Sequence, residues 1–207
     1  MTYVNQTIES MAVTWRNRNL DKPLTQQQVE YFSKLAVQTP SKQSNKYFDV
    51  YSITNLELIE KIYLQSAVPD PGYDGQPYNP QLLSPLLLLW MSCELETGEL
   101  SKNYLNNAIN EDVDDETIDR HQAVGISAGV VCYEANRLGF QTGFCRCIDS
   151  EGVCKELQSY GISISDQSLL LSLSIGYGRD VNPRQHQKFK MIMQPHDRIE
   201  PGLIYIN

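Results

Sequence analysis

The sequence predicts an α+β fold, with a mixed, mainly antiparallel sheet flanked by helices. Its helical and strand-like segments do not alternate as strict βαβ units, which favours separate layers over a doubly wound sheet. A continuous apolar run at residues 82–91 is typical of a strand covered on both faces. The length of 207 residues suits one domain that spans residues 1–207.

Four helices are expected from the apolar spacing and the capping residues. The first has Thr25 and Gln28 at the spacing of a capping box and stops at Pro40. The last is followed by Gly161, a residue type that often ends helices. The four segments are residues 25–38, a segment that begins after Asn55, residues 121–138 and residues 149–160.

Residues 121–138 have the most regular apolar stripe of the chain, formed by Val124, Ala128, Val131, Ala135 and Leu138. Gly125 and Gly129 lie four residues apart on this helix, and small residues at that spacing let another helix approach closely. A tight contact within the chain and a seam between two subunits both fit this pattern.

Strands are expected where β-branched, aromatic or continuous apolar residues gather. Residues 68–80 carry four prolines and two glycines, so they are predicted to form a long loop. The acidic residues 95–119 are expected to be surface helix and loop. Besides residues 82–91, the predicted strands are residues 47–53, residues 169–176, a short strand or loop at 141–148, and a last short strand at 203–206.

The charge distribution is uneven. The net charge of −8 disfavours a nucleic-acid-binding surface. Residues 1–48 nevertheless hold six bases against three acids, and residues 179–190 hold four bases against one acid. If the two basic segments meet in the fold, they form an anion site, whereas two separate solvated basic faces are the plainer interpretation.

Cysteine usage and hydropathy predict a cytoplasmic protein that does not enter a membrane. Five cysteines without a CxxC pair, together with three separate histidines, favour reduced thiols over a zinc site, so no metal is expected. No apolar run approaches the roughly 20 residues of a membrane helix. The first ten residues lack the basic start and apolar core of a secretory signal.

The sequence contains no strong catalytic motif: no Gly-rich dinucleotide loop, Walker loop, HExxH or GxSxG is present. Acidic pairs such as Asp114 and Asp115 lie in a charged run that is typical of a solvated face. The reactivity is therefore expected to come from a bound cofactor.

An ordered set of segments resembles the FMN-dependent nitroreductase family. Residues 14–24 (TWRNRNLDKPL) are similar to the family's basic cluster, hydrophobic–Asp pair and proline before a helix. Residues 36–45 (AVQTPSKQSN) resemble its Ala-rich turn with Pro-Ser and a following Asn. The other matching segments follow in the family's order: residues 79–86, 125–142, 175–178, 188–190 and 203–206.

The resemblance implies a nitroreductase-like, intertwined homodimer with two FMN sites at its interface. Residues 195–207 would form a C-terminal arm that reaches the partner subunit. The implied reaction passes hydride from NAD(P)H through flavin N5 to a small oxidised acceptor, such as a nitroaromatic or a quinone. No side chain is implied as a catalytic acid, base or nucleophile.

The resemblance also implies which residues hold the cofactor. Arg18 matches the family's basic position, while Thr14 and Arg16 depart from its usual Arg and Ser. A donor near flavin N5 is expected from the backbone of a loop at residues 142–146. The implied cofactor-binding residues are Arg16, Arg18, Ser41, Lys42, Ser44, Asn45, Cys145, Arg146, Lys188 and Lys190.

Two other functions stay open on the sequence. One is a flavin enzyme of the same fold with another reaction, either flavin fragmentation or reductive dehalogenation. The other is a protein that stores or senses flavin without turnover, which the substitutions at Thr14 and Arg16 keep open.

Overall fold

The computed structural model describes residues 2–66, 79–96, 115–164 and 167–179. Two short 3-10 helices, Lys42–Ser44 and Pro80–Leu82, lie between the larger elements. The helices are α1 (Thr2–Met11), α2 (Gln26–Val37), α3 (Leu56–Leu64), α4 (Asp115–Arg137) and α5 (Ser150–Ser159). The strands are β1 (Lys46–Ile53), β2 (Leu86–Glu96), β3 (Gln141–Cys145) and β4 (Leu169–Gly176).

The four strands form one sheet in the order β1-β2-β4-β3. All three strand pairs between the described strands are antiparallel. This arrangement confirms the α+β class and the mainly antiparallel sheet. The order also places β1 and β3 at opposite edges, which separates the segments that lead into them.

Strand β2 lies inside the sheet and is buried on both faces, as its continuous apolar run predicts. Its residues alternate between two hydrophobic clusters. Leu86, Leu88 and Trp90 pack with residues of α2 and α4. The alternate residues of the strand, which pack with α3 and α5 on the other face, are Leu87, Leu89 and Met91.

Helix α2 begins as the capping-box pattern predicts. The Thr25 side chain accepts a hydrogen bond from the Gln28 amide, and the Gln28 side chain accepts one from the Thr25 amide. Such a cap stabilises the helix by about 1 kcal/mol. The predicted caps at Asn55 and Gly161 are also present, with Gly161 at a φ of 79°.

Helix α4 begins at Asp115, six residues before the predicted start, and its apolar stripe faces the sheet. Leu138 does not belong to that stripe, because it lies past the end of the helix and is 46% exposed. A polar bridge ties α4 to its neighbours. The Trp90 indole donates to the Ser127 hydroxyl at 2.8 Å, and that hydroxyl donates to the Ala36 carbonyl at 2.6 Å.

Three further features differ from the sequence predictions. Strand β2 begins at Leu86 rather than residue 82, because Pro80–Leu82 form a 3-10 helix and Pro85 lacks the amide donor that strand pairing needs. Residues 141–145 form a strand, so the expected flavin N5 loop at residues 142–146 is instead the edge strand β3. Helix α1 was not predicted; Ser10 near its end donates to Asn136 of α4 at 2.5 Å.

Several expectations lie outside the described residues. They are most of the proline-rich loop, most of the acidic segment, and the whole C-terminal arm at residues 195–207. Among the residues that are described, no helix has the length and apolar character needed to cross a membrane.

Candidate functional site

The segment at residues 15–19 lies along the ends of β3 and β4. The Trp15 amide donates to the Thr142 carbonyl at 3.0 Å, and the Asn19 amide donates to the Tyr177 carbonyl at 2.9 Å. Between them, Arg18 forms an antiparallel bridge with Gly178. These backbone bonds hold the Arg18 side chain against the interior of the sheet end.

Arg18 is only 1% exposed, and its guanidinium is held by main-chain carbonyls. Nε donates to the Gln141 carbonyl at 3.2 Å, and Nη1 donates to the Gln81 carbonyl at 2.8 Å. Nη2 is buried and has no hydrogen-bond partner within the described ranges. Burial, and then the nearby positive charge of Arg16, lower the pKa of Arg18 to about 9.

The charge of Arg18 has no carboxylate ion-pair partner within the described ranges. Burying an unpaired charge costs several kcal/mol, and an anion close to the guanidinium would offset that cost. The buried charge therefore favours a nearby anionic group such as a phosphate.

Two glycines make room for the Arg18 side chain. A Cβ added at Gly143 would lie 2.6 Å from Nη2, and one at Gly176 would lie 3.0 Å from Cδ of Arg18. Gly143 belongs to β3 and Gly176 ends β4, so both strands lack side chains where the arginine passes. Larger residues at these positions would displace the guanidinium.

The other predicted site residues of this region differ in position and burial, because Arg16 belongs to the segment beside β3, whereas Cys145 and Arg146 lie at the far end of that strand from Gln141. Arg16 is half-buried, and its Nη1 donates to the Thr14 carbonyl at 3.2 Å. Cys145 is buried in the core, and burial raises the pKa of its thiol to about 11. At neutral pH that thiol stays protonated, which fits packing rather than nucleophilic chemistry. Arg146 follows β3 and is exposed.

The second group of predicted site residues lines a cleft at the start of β1. Its volume is about 640 Å³, and Ser41, Ser44 and Asn45 are among its lining residues. Ser41 Oγ donates to the Asn45 carbonyl at 2.7 Å, which closes the turn. The buried Asn45 side chain donates through Nδ2 to the Tyr47 hydroxyl at 3.3 Å.

The backbone of this turn is strained. Gln43 and Ser44 have φ angles of 55° and 57°, in the left-handed region that non-glycine residues rarely adopt. Each such residue costs on the order of 1–2 kcal/mol. Strain of this kind is often found at ligand sites, which is consistent with a binding role for the turn.

The two groups lie at diagonally opposite corners of the sheet. Asn45 immediately precedes β1 at one end of one edge strand, whereas Arg18 contacts Gln141, the residue that begins the other edge strand, β3. β1 alone has 8 residues, a length of about 26 Å at roughly 3.3 Å per residue. One phosphate cannot contact both corners of the same chain.

Lys42 reaches neither the cleft lining nor Arg18. Its Nζ forms an ion pair with Asp119 Oδ2 at 2.7 Å. Lys188 and Lys190 lie outside the described residues. Within the described ranges, no group of three His, Cys, Asp or Glu residues is placed to bind a metal.

The sequence did not predict the residues that fix the backbone around Arg18 and along β3. The Gln81 carbonyl accepts from Arg18 and also from the Ser174 hydroxyl, and the Ser172 hydroxyl donates to the Cys145 carbonyl. A signal was present, because Ser172 and Ser174 alternate with apolar residues in β4. Buried hydroxyls at that spacing point to backbone groups that need partners.

Comparison with known proteins bears on the fold. No family model matches the sequence, and no curated protein matches it either. Among solved structures, a BluB-like flavoprotein from Clostridium difficile 630 has a TM-score of 0.64 at 14% identity, and the match covers 94% of each chain.

Two further solved structures agree with it. A nitroreductase family protein from Clostridium difficile 630 has a TM-score of 0.58 at 14% identity, covering 84% of this chain and 87% of that one. An FMN-dependent nitroreductase from Clostridium difficile R20291 has a TM-score of 0.56 at 14% identity, covering 82% and 85%. The chain therefore has the nitroreductase fold, as its motifs predict.

Proposed function

We propose that the protein binds FMN as a homodimer and passes hydride from NAD(P)H to a small oxidised acceptor, such as a nitroaromatic or a quinone. The observation that carries the proposal is Arg18, a fully buried cation without a carboxylate partner in the described chain. The nitroreductase fold supports it, because solved proteins of this fold include an FMN-dependent nitroreductase and a BluB-like flavoprotein.

Arg16 and Arg18 are the described residues that would attract the phosphate of FMN. Arg16 is half-buried, so part of its side chain lies at the surface, where direct contact with the phosphate is proposed. Arg18 is covered, so its proposed contribution is a positive charge held beneath the surface. Opposite unit charges about 6 Å apart are worth about 3 kcal/mol at an effective dielectric of about 20. Lys188 and Lys190 remain predicted phosphate ligands.

In the proposed reaction, the protein binds and orients the cofactor and the substrates, and no side chain acts as an acid or a base. FMN supplies hydride transfer when it is bound. Arg146 and the backbone at the end of β3 are proposed to lie beside the flavin ring. The Cys145 thiol, with its pKa raised to about 11, has no role as a nucleophile.

The separation of the two corners supports a site built from two chains. The Arg18 corner of one subunit and the Ser41–Asn45 turn of its partner can face one flavin only if the subunits associate. Helix α4 offers a surface for that association. Along one face it exposes Ile118, Ile126, Val130 and Tyr133, with the exposed Gly125 and Gly129 between them.

The first test is selective binding of FMN over riboflavin, which lacks the phosphate. FMN at about 100 times its Kd should stabilise the protein by about 2.7 kcal/mol, measured as a rise in Tm. Riboflavin at the same concentration should give a much smaller rise, because Arg16 and Arg18 act on the phosphate. No rise with FMN contradicts the flavin site, and equal rises contradict the role of the arginines.

Reduction by a nicotinamide then separates an enzyme from a flavin-storage protein. The FMN-bound protein should lose its visible flavin absorbance when NADH or NADPH is added without oxygen, and a quinone should restore it. Absorbance that persists with both nicotinamides would favour storage or a different reaction of the same fold.

A further inference from the structure

The first turns of α4 hold the Ser41–Asn45 turn in place. Lys42 Nζ lies 2.7 Å from Asp119 Oδ2, and the Asp119 side chain is only 14% exposed. On the next residue, Arg120 Nη1 donates to the Tyr47 carbonyl at 2.8 Å and to the Cys93 carbonyl at 2.6 Å. We call Lys42, Asp119 and Arg120 the clasp, because together they tie α4 to the turn, to β1 and to β2.

Two residues of the turn have backbone conformations that need support from the surrounding structure. Inside it, the Ser44 amide donates to the Ser41 carbonyl at 3.2 Å, and the Asn45 amide donates to the Lys42 carbonyl at 3.1 Å. Together with the bond from Ser41 Oγ to the Asn45 carbonyl, they act within the turn, where Gln43 and Ser44 have left-handed conformations. Strained residues persist only where the surrounding structure fixes them, and the clasp supplies contacts from outside the turn.

The ion pair with Asp119 also limits the ability of Lys42 to bind an anion. A carboxylate at 2.7 Å leaves little net positive charge at that point. A phosphate brought to Lys42 would meet the Asp119 carboxylate at nearly the same distance. Lys42 is therefore poorly suited to bind an anion directly, in contrast with Arg18, which has no carboxylate partner in the described chain.

We propose that Lys42, Asp119 and Arg120 are positioning residues that hold the turn in its binding shape, and that Lys42 acts through Asp119 rather than by touching the cofactor. The proposal rests on the proposed function for the identity of the ligand. Its structural part, the anchoring of the turn by α4, stands apart from that function and is measured separately.

The test compares four variants of the full chain. Asp119→Asn and Lys42→Asp each break the ion pair, the double change Lys42→Asp with Asp119→Lys restores it with reversed charges, and Glu151→Gln is the control. Glu151 pairs with Lys155 at the same distance of 2.7 Å on α5, away from the turn. Hydrogen exchange of the peptide at residues 41–48, FMN affinity and Tm are measured for each.

Asp119→Asn should speed exchange in the turn and raise the Kd for FMN about threefold to fivefold, the range of a partly exposed ion pair, with Tm nearly unchanged. The charge reversal should return both measurements towards those of the original protein, and Glu151→Gln should change neither. Unchanged exchange in Asp119→Asn overturns the anchor. A charge reversal that binds FMN no better than Lys42→Asp alone overturns the indirect role of Lys42.

The two proposals fail in distinguishable ways. If the original protein does not bind FMN, the proposed function is wrong, and the exchange measurements still decide whether α4 anchors the turn. If it binds FMN and the charge reversal does not recover affinity, the function stands and the Lys42 charge itself acts on the cofactor.

Discussion

Arg18 and Lys42 lie at opposite corners of the sheet, and their positive charges differ in burial and in the presence of a counter-charge. Arg18 is 1% exposed and donates only to main-chain carbonyls in the described structure. The Lys42 side chain is 54% exposed, and its charge is matched by Asp119 at 2.7 Å. Both were predicted to bind the cofactor because both are basic and lie in matching motifs, yet only Arg18 keeps an unmatched charge.

This difference shows that burial and local counter-charge determine which basic residue can attract an anion. An exposed ion pair contributes about 0–1 kcal/mol to stability, and its charges already match each other when no ligand is bound. A buried cation without a carboxylate is costly until an anion approaches. The folded chain buries such a charge at Arg18, where Gly143 and Gly176 make space for the side chain.

The largest expected effect separates these two basic residues by flavin affinity. Arg18→Met should raise the Kd for FMN by up to about 100-fold, following the charge interaction of about 3 kcal/mol. Lys42→Met should raise it by less than about fivefold, because Asp119 already neutralises that charge. Titration of flavin fluorescence measures both.

Riboflavin provides the control for Arg18→Met, because a folding defect would weaken riboflavin and FMN alike. The variant should lose its preference for FMN while keeping its riboflavin affinity. Equal losses of FMN affinity in Arg18→Met and Lys42→Met would remove the distinction between the two corners.

Local patterns in the sequence predicted most of the described fold. The capping box at Thr25 and the apolar run of β2 depend on neighbouring residues and on burial, and both were confirmed. Strand β4 has the predicted bounds, Leu169–Gly176. These features carry their own signals because a helix cap or a strand covered on both faces restricts residue type directly.

Such local patterns could not predict the arrangement of the candidate site. Lys42 and Asp119 are 77 positions apart, and Arg18 is 123 positions from Gln141. Residue type shows that these side chains are charged or polar, whereas their partners depend on how the sheet brings distant segments together. The inward direction of Arg18 could only be read from the folded chain.

The next prediction concerns the association that would bring the two corners together. Gly129 is exposed on α4, and a Cβ added there meets nothing within 4 Å in the single chain. Gly129→Ala should therefore stabilise an isolated subunit by about 1 kcal/mol, the difference in helix propensity. If α4 forms the seam, the added methyl group should instead lower Tm and weaken the dimer.

Protein concentration is the internal control for Gly129→Ala, because a dimer's Tm rises with concentration and a monomer's does not. We expect a lower Tm at every concentration and more monomer by light scattering. A higher Tm that is independent of concentration would mean that α4 stays exposed, and that the two corners do not meet through this helix.

The smallest expected effect tests whether the strained turn at the second corner serves binding. Ser44 has a φ of 57°, whereas Ser41 has a φ of −128°, so replacing each serine with glycine tests two different backbone conformations. Ser44→Gly should raise the free energy of unfolding by about 0.5 kcal/mol, because glycine adopts the left-handed region without steric cost. Ser41→Gly should lower it, since it adds chain entropy and removes the hydrogen bond to the Asn45 carbonyl. Urea unfolding measures both changes. Lower stability in Ser44→Gly would show that the left-handed backbone carries no strain for glycine to relieve.

The same variant tests whether the strained conformation serves binding. If the strain holds the turn in the shape that binds flavin, Ser44→Gly should also weaken FMN binding slightly.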